Sequence, residues 1–163
     1  YIPTTTASVI RSADVCSISG SAFTGFWNDS EGTVVVKASL RSPSNNAVVW
    51  AAAGGANSAA NLYMYHLGGI ALFVQNTTGQ ASISSGSYVA NTTSKVSACY
   101  KLNDFAVSRD GGAVVTDTLG TIPFVDKFYI GNFFGGFASS QYIESIRFYK
   151  KRLPNAKLQA LTV

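Results

Sequence analysis

The sequence predicts an all-β protein, one antiparallel sandwich of two sheets closed by a short C-terminal helix. Three observations carry that expectation. Charged residues make up 12% of the chain and apolar residues 47%, about half the charge usual for a soluble domain, which leaves too few charges for the polar faces of surface helices. Small polar and β-branched residues fill the gap, as they do in short strands joined by tight turns. Alternation of apolar and polar residues, not the 3.6-residue helical period, dominates until the last segment.

Each element follows from its local pattern. The run 33–40 puts Val34, Val36, Ala38 and Leu40 on one face and Lys37 and Ser39 on the other, as in a strand with one buried side. Positions 41–46 read as a loop, and 47–53, carrying Trp50, as the next strand before Gly54-Gly55. Runs 62–67 and 70–75 flank Gly68-Gly69, a two-residue hairpin signal. There Leu62, Met64 and His66 share one face, and Tyr63 and Tyr65 the other. A connection rich in Ser, Thr, Asn and Gly follows. Run 95–102 alternates again, with Val96, Ala98 and Tyr100 on one side. Asn103-Asp104 turns into 105–108, and Arg109-Asp110-Gly111-Gly112 is a hairpin turn, because Asp-Gly tolerates positive φ. Strands at 113–116, 128–131 and 142–149 complete the set. Positions 154–161 form the one helical segment, with proline in its first turn. About ten strands at a spacing of about 8 to 12 residues indicate a sandwich or barrel. The missing βαβ rhythm excludes the nucleotide-binding α/β folds.

The 163 residues fit one domain, 1–163, with a continuous core. The chain opens on Tyr1 with no signal-peptide pattern, and is expected to be a fragment of a longer protein. No apolar run approaches the roughly 18 residues needed to cross a bilayer. The net charge of +4 reflects scarce acids. Six of the twelve cations (Lys127, Arg147, Lys150, Lys151, Arg152, Lys157) lie toward the C-terminus. They could be read as a phosphate-binding stripe, but a solvated final strand and helix is the reading adopted, so no nucleic-acid partner is expected. Cys16 and Cys99 make no disulfide framework, and one histidine cannot complete a Cys/His zinc site. Both are expected to be buried free thiols.

Several motifs are familiar together. They are Tyr1-Ile2-Pro3-Thr4-Thr5-Thr6 with Arg11, Ala13 and Asp14, and then Trp27-Asn28-Asp29-Ser30-Glu31-Gly32-Thr33. Tyr100-Lys101-Leu102-Asn103-Asp104-Phe105-Ala106-Val107-Ser108 with Gly111-Gly112 follows. The ending is the most specific piece: 143–147, Tyr149, Lys151-Arg152-Leu153-Pro154-Asn155 and Leu158-Gln159-Ala160-Leu161-Thr162. In this order they resemble a module of tailed-phage tail and fibre proteins that looks like the concanavalin A-like, laminin-G-like jelly rolls. The resemblance implies a two-sheet jelly roll that attaches to a host cell-surface glycan or receptor. It further implies a place in the virion, made in the host cytoplasm, beside other domains or subunits of the virion protein, for which a homotrimer is one arrangement. Positions 50–74 depart most from the pattern, which fits a specificity region. Members of this fold also serve as structural or domain-joining modules without a soluble ligand.

Catalysis is poorly provided for. Glycoside hydrolysis needs two carboxylates a few ångströms apart, and Asp29 and Glu31 are the sole i, i+2 acidic pair, where a loop enters a strand. No enzymatic role is expected, and no cofactor. The structural Ca²⁺ of many relatives would draw on Asp14, Asn28 and Asp29, but no dense acidic loop supports it. Sugar binding asks instead for flat aromatic faces and hydrogen-bonding amides. The candidates are Trp50, Asn61, Tyr63, Tyr65, His66, Asn132, Phe133 and Phe134. Aromatics also fill sandwich cores, so Trp50 and the Tyr63/Tyr65 pair are core candidates as well. Phe133-Phe134-Gly135-Gly136-Phe137 either lines a pocket or meets another subunit or domain.

Overall fold

The computed structural model describes residues 15–41, 47–55, 59–66, 69–87, 89–134 and 140–163, with backbone alone at 66, 70 and 71. The motif at 1–14, Gly68 and the Gly135-Gly136-Phe137 segment lie outside the described residues.

Two antiparallel sheets face one another. The first takes in β1 (Cys16–Ser19), β3 (Ala47–Ala53), β4 (Ala60–His66), β5 (Ile70–Asn76), β6 (Thr78–Ser84) and β10 (Lys127–Ile130), in the order β1-β10-β3-β4-β5-β6. The second takes in β2 (Glu31–Leu40), β7 (Thr93–Lys101), β8 (Phe105–Arg109), β9 (Val115–Asp117) and β11 (Gln141–Tyr149), in the order β11-β2-β7-β8-β9. Two short helices complete it, α1 (Gly20–Phe26) and α2 (Asn155–Ala160). This is the two-sheet jelly roll with a C-terminal helix that the sequence predicts.

Alternation places the core. Val34, Val36, Val96, Ala98 and Val107 from one sheet meet Leu62, Met64, Leu72, Val74 and Ile83 from the other, all nearly or wholly inaccessible. Toward α1 the core turns aromatic. The Trp27 ring stacks on Phe23, Tyr100 and Phe148 at centroid distances of 5.3, 5.1 and 5.1 Å. The Tyr100 hydroxyl donates to the Asn28 carbonyl at 2.6 Å.

The C-terminal segment closes the five-stranded sheet. Arg152 donates to Asp104 at 2.7 Å through its guanidinium and to Glu31 at 3.1 Å through its backbone N–H. Thr33 Oγ1 donates to the Lys151 carbonyl and accepts from the Leu153 N–H. Leu158 of α2 is buried against Cys99 and Ala106. Lys150 reaches the Gly25 carbonyl, so two of the six C-terminal cations, Lys150 and Arg152, serve separate structural contacts.

Four expectations change. The connection after β5 contains a strand, β6, and the chain ahead of β2 contains β1 and a second helix, α1. The return strand sits at Val115–Asp117, two residues later than the pattern predicts, after a turn with Asp110 and Gly111 at φ of 48° and 73°. Cys99 is buried as expected, but Cys16 is exposed, because β1 is an edge strand whose one inward contact is Ile18.

Candidate functional site

A strand presents alternate residues to opposite faces, and the register of the six-stranded sheet decides what its outer face carries. Ser17, Tyr129, Ala51, Tyr63, Phe73 and Ser82 stand side by side across β1, β10, β3, β4, β5 and β6. The neighbouring row on the same face contains Lys127, Ala53, Asn61 and Gln75, and on the other side Tyr65 stands opposite Val48. Small alanines in β3 therefore run between two aromatic banks, and Phe133 is brought over them from the segment after β10. It packs with Ala51, Ala53 and Val48 in a cluster separate from the main core.

The rings form one connected ledge. Tyr63 lies 5.1 Å from Tyr65, 5.2 Å from Phe73 and 5.5 Å from Phe133, stacked on the last at 26°. Phe133 and Phe134 are 4.6 Å apart, and Phe134 approaches Tyr129 at 5.3 Å. Tyr65, Tyr129 and Phe133 are buried, Tyr63 and Phe73 half-buried, and Phe134 is 37% exposed. Phe134 takes φ +52°, a conformation uncommon for a bulky residue. Its ring rests against Tyr129 and Phe133 at the outer rim.

Burial raises the pKa of Tyr63, with a further push from Tyr65, and raises that of Tyr65. Both phenols therefore keep their O–H as donors through neutral and mildly alkaline pH. The half-buried Gln75 amide has no hydrogen-bond partner among the described residues. It sits two residues from Phe73 on the same face, near the exposed Ser82, while Lys127 stands in the same row on β10, beyond Asn61 and Ala53. Apolar rings for stacking, with amide, hydroxyl and ammonium groups on the same sheet face, suit a polyhydroxylated ligand.

The sequence candidates divide. Asn61, Tyr63, Tyr65, Phe133 and Phe134 are brought together on this face. Asn61 is fully buried at its foot, and Asn132, 2% exposed, donates back to the Ile130 carbonyl and so shapes the turn into Phe133. Trp50 is not on the face. It is wholly buried between the sheets, stacked on Phe128 at 5.6 Å and 9°, because it alternates with the outward Ala51 and Ala53 and stands opposite Met64 on the core face. His66 pairs through its backbone with Ala47 and Ile70, and its side chain lies outside the described part of the structure. Sequence reasoning missed Phe73, Gln75 and Tyr129. The expected two-residue 68–69 hairpin would set Val74 opposite Tyr63, whereas the observed pairing of His66 with Ile70 moves the register by one residue and puts Phe73 there.

No protein-family model matches the chain, and no curated protein matches it in sequence. Solved structures do match in fold. The CBM40 of the Ruminococcus gnavus IT-sialidase, bound to α2,3-sialyllactose, superposes with a TM-score of 0.68 at 17% identity, over 83% of this chain and 84% of that one. NanB sialidase from Streptococcus pneumoniae gives 0.71 at 14% identity, over 91% of this chain but 26% of the sialidase. Domain 4 of AbnA, a GH43 extracellular arabinanase from Geobacillus stearothermophilus in complex with arabinotriose, gives 0.63 at 11% identity, over 83% of this chain and 68% of that one. The chain therefore has the concanavalin A-like jelly-roll fold of these domains.

Four of the acidic residues are occupied in holding the fold. Glu31 accepts the Arg152 N–H, Asp104 holds the Arg152 guanidinium, Asp110 accepts the Lys95 N–H at 2.8 Å, and Glu144 pairs with Lys37. Among the described residues no three His, Cys, Asp or Glu side chains gather as a metal site. Of the residues considered for Ca²⁺, Asp14 lies outside the described residues, and Asn28 uses its amide on Lys150 and Ser30. Asp29 lines a depression of about 440 Å³ with Trp27 and Asp126, beside α1 and away from the aromatic face. No helix among the described residues is long and apolar enough to cross a membrane.

Proposed function

We propose that the chain is a non-catalytic carbohydrate-binding module that takes a glycan on the outer face of its six-stranded sheet. Tyr63 and Phe73 provide the stacking ledge, Phe134 its raised rim, and Gln75, Ser82 and Lys127 the hydrogen bonds to hydroxyls. The observation that carries the reading is the connected set of rings on a sheet face, flanked by an amide with no partner among the described residues. Domains of the same fold that hold sialyllactose and arabinotriose support it. Trp50 has no part in this site, being sealed in the core.

The wider setting rests on the sequence resemblance to tailed-phage tail and fibre modules. On that reading the parent is a virion protein, the glycan or receptor belongs to the host surface, and neighbouring virion domains or subunits, in a homotrimer for instance, flank this module. A structural or domain-joining role draws on one observation, the exposed Phe134 beside Tyr129. Phe133 argues against it, since its ring is already satisfied by Tyr63 and Tyr129 of the same chain.

A glycan array probed with the purified domain tests the proposal. Wild type should mark a restricted set of glycans, and Tyr63→Ala should lose the signal. No glycan signal from folded wild type, or equal signal from Tyr63→Ala and Tyr65→Ala, overturns it.

A further inference from the structure

The outer face of the five-stranded sheet carries a second constellation that the proposed glycan site does not use. α2 covers one end of this face, over Cys99 and Ala106. The other end is open and polar. Lys37 and Lys95 stand directly opposite each other across β2 and β7, and like charges so placed repel. Arg147 follows one row along, opposite Val35. A depression of about 140 Å³ lies among Lys37, Lys95, Ser145 and Arg147. It adjoins a second, of about 360 Å³, among Ser39, Arg41, Asn91 and Tyr142, because Ser39 follows Lys37 on the same strand face.

Charge compensation on this face is incomplete. Glu144, turned outward by a bulge in β11, neutralises Lys37 and accepts from Thr93. The Lys95 ammonium reaches the main-chain oxygen of Val163. The guanidinium groups of Arg41 and Arg147 have no partner among the described residues. Tyr142, 58% exposed, is an open ring at the end of the strip.

We propose that this strip is a second binding site, for an anionic glycan chain bearing carboxylate or sulfate groups. Arg147 and Lys95 take one acidic group in the smaller depression, Arg41 takes another, and Tyr142 stacks on the sugar ring between them, with Asn91, Ser39 and Ser145 within the same two depressions to meet hydroxyls. Nucleic acid fits less well, because single strands are held by successive bases stacked on several aromatics and the strip offers one exposed ring. The two sheets would then bind sugar on opposite faces, the six-stranded one through rings and amides, this one through charge.

The experiment is retention of the whole chain on heparin (sulfate) and polygalacturonate (carboxylate), with dextran as neutral control and a single-stranded DNA homopolymer as competitor. Binding to at least one polyanionic sugar, released by rising salt and absent on dextran, is the expected result. Arg147→Ala and Tyr142→Ala should each weaken it about tenfold, with unchanged thermal unfolding. Tyr63→Ala should leave it intact, which separates this site from the one on the opposite sheet. Three results would overturn it: no retention on either polyanion, retention indifferent to both variants, or DNA bound as tightly with Tyr142→Ala without effect, which would mark bare charge attraction.

Discussion

Gly32 stands opposite Tyr100 across β2 and β7, and a Cβ there would come within 2.6 Å of the phenol oxygen and 2.7 Å of the ring. The absent side chain is what lets Tyr100 lie flat under Trp27 and reach the Asn28 carbonyl. Gly32→Ala should therefore cost about 1–3 kcal/mol by overpacking, measured by urea denaturation, and a variant as stable as wild type would contradict this packing. Beside Tyr100, Cys99 is buried, and burial lifts its thiol pKa from 9.0 to about 11 despite the opposing pull of Arg152. Below pH 9 the thiol is protonated in both folded and unfolded chains, so its contribution is full. Above pH 9 the unfolded chain ionises first, and stability should fall as pH rises toward 11. Cys99→Ala should show a shallower fall over that window in denaturation series at pH 7, 9 and 10.5. Trp50 shows what residue type alone does not reveal. Its type suits a sugar platform as well as a core, and its register, opposite Met64 and out of phase with the outward Ala51, puts it inside. Tyr63 and Tyr65 were assigned to one face by simple alternation, since nothing interrupts the pleat of β4.

Among the elements, long alternating strands were legible and short edge pieces were not. β2, β4 and β7 each bury several apolar residues at a period of two. β1 buries little beyond Ile18, and β6 contributes Ala81 and Ile83 from a run that reads as polar connection. The helix α1, GSAFTGF, holds two glycines and has no side-chain cap, so propensity gives it no signal. Packing holds it instead: Phe23 is 1% exposed, 5.6 Å from Phe26 and 5.3 Å from Trp27. Phe23→Ala should cost roughly 3–5 kcal/mol and Thr24→Ala, on the exposed side, less than about 0.5 kcal/mol. Circular dichroism melts of both variants check this, and equal losses would show that helix propensity, not the Phe23 contact, sustains α1.

For the whole molecule, the sandwich separates two tasks. One face of each sheet is spent on the shared core, which leaves two outward faces of different chemistry: an aromatic ledge on the six-stranded sheet and a cationic strip on the five-stranded sheet. Alternation and turns are local, so the residues could predict a sandwich or barrel, and the resemblance supplied the two-sheet jelly roll. The sequence could not predict which strands share a sheet, because β10 enters between β1 and β3 and β11 beside β2, pairings made by residues far apart in the chain. Phe133 joins Tyr63 for the same reason, and this is why the ledge was seen only in parts. The central claim is that the ledge binds sugar, and titration calorimetry with the strongest array ligand tests it most directly. Phe73→Ala and Gln75→Ala should each weaken binding about tenfold or more while the fold is retained, through loss of ring stacking and of a ligand hydrogen bond. Unchanged affinity in both folded variants would contradict it.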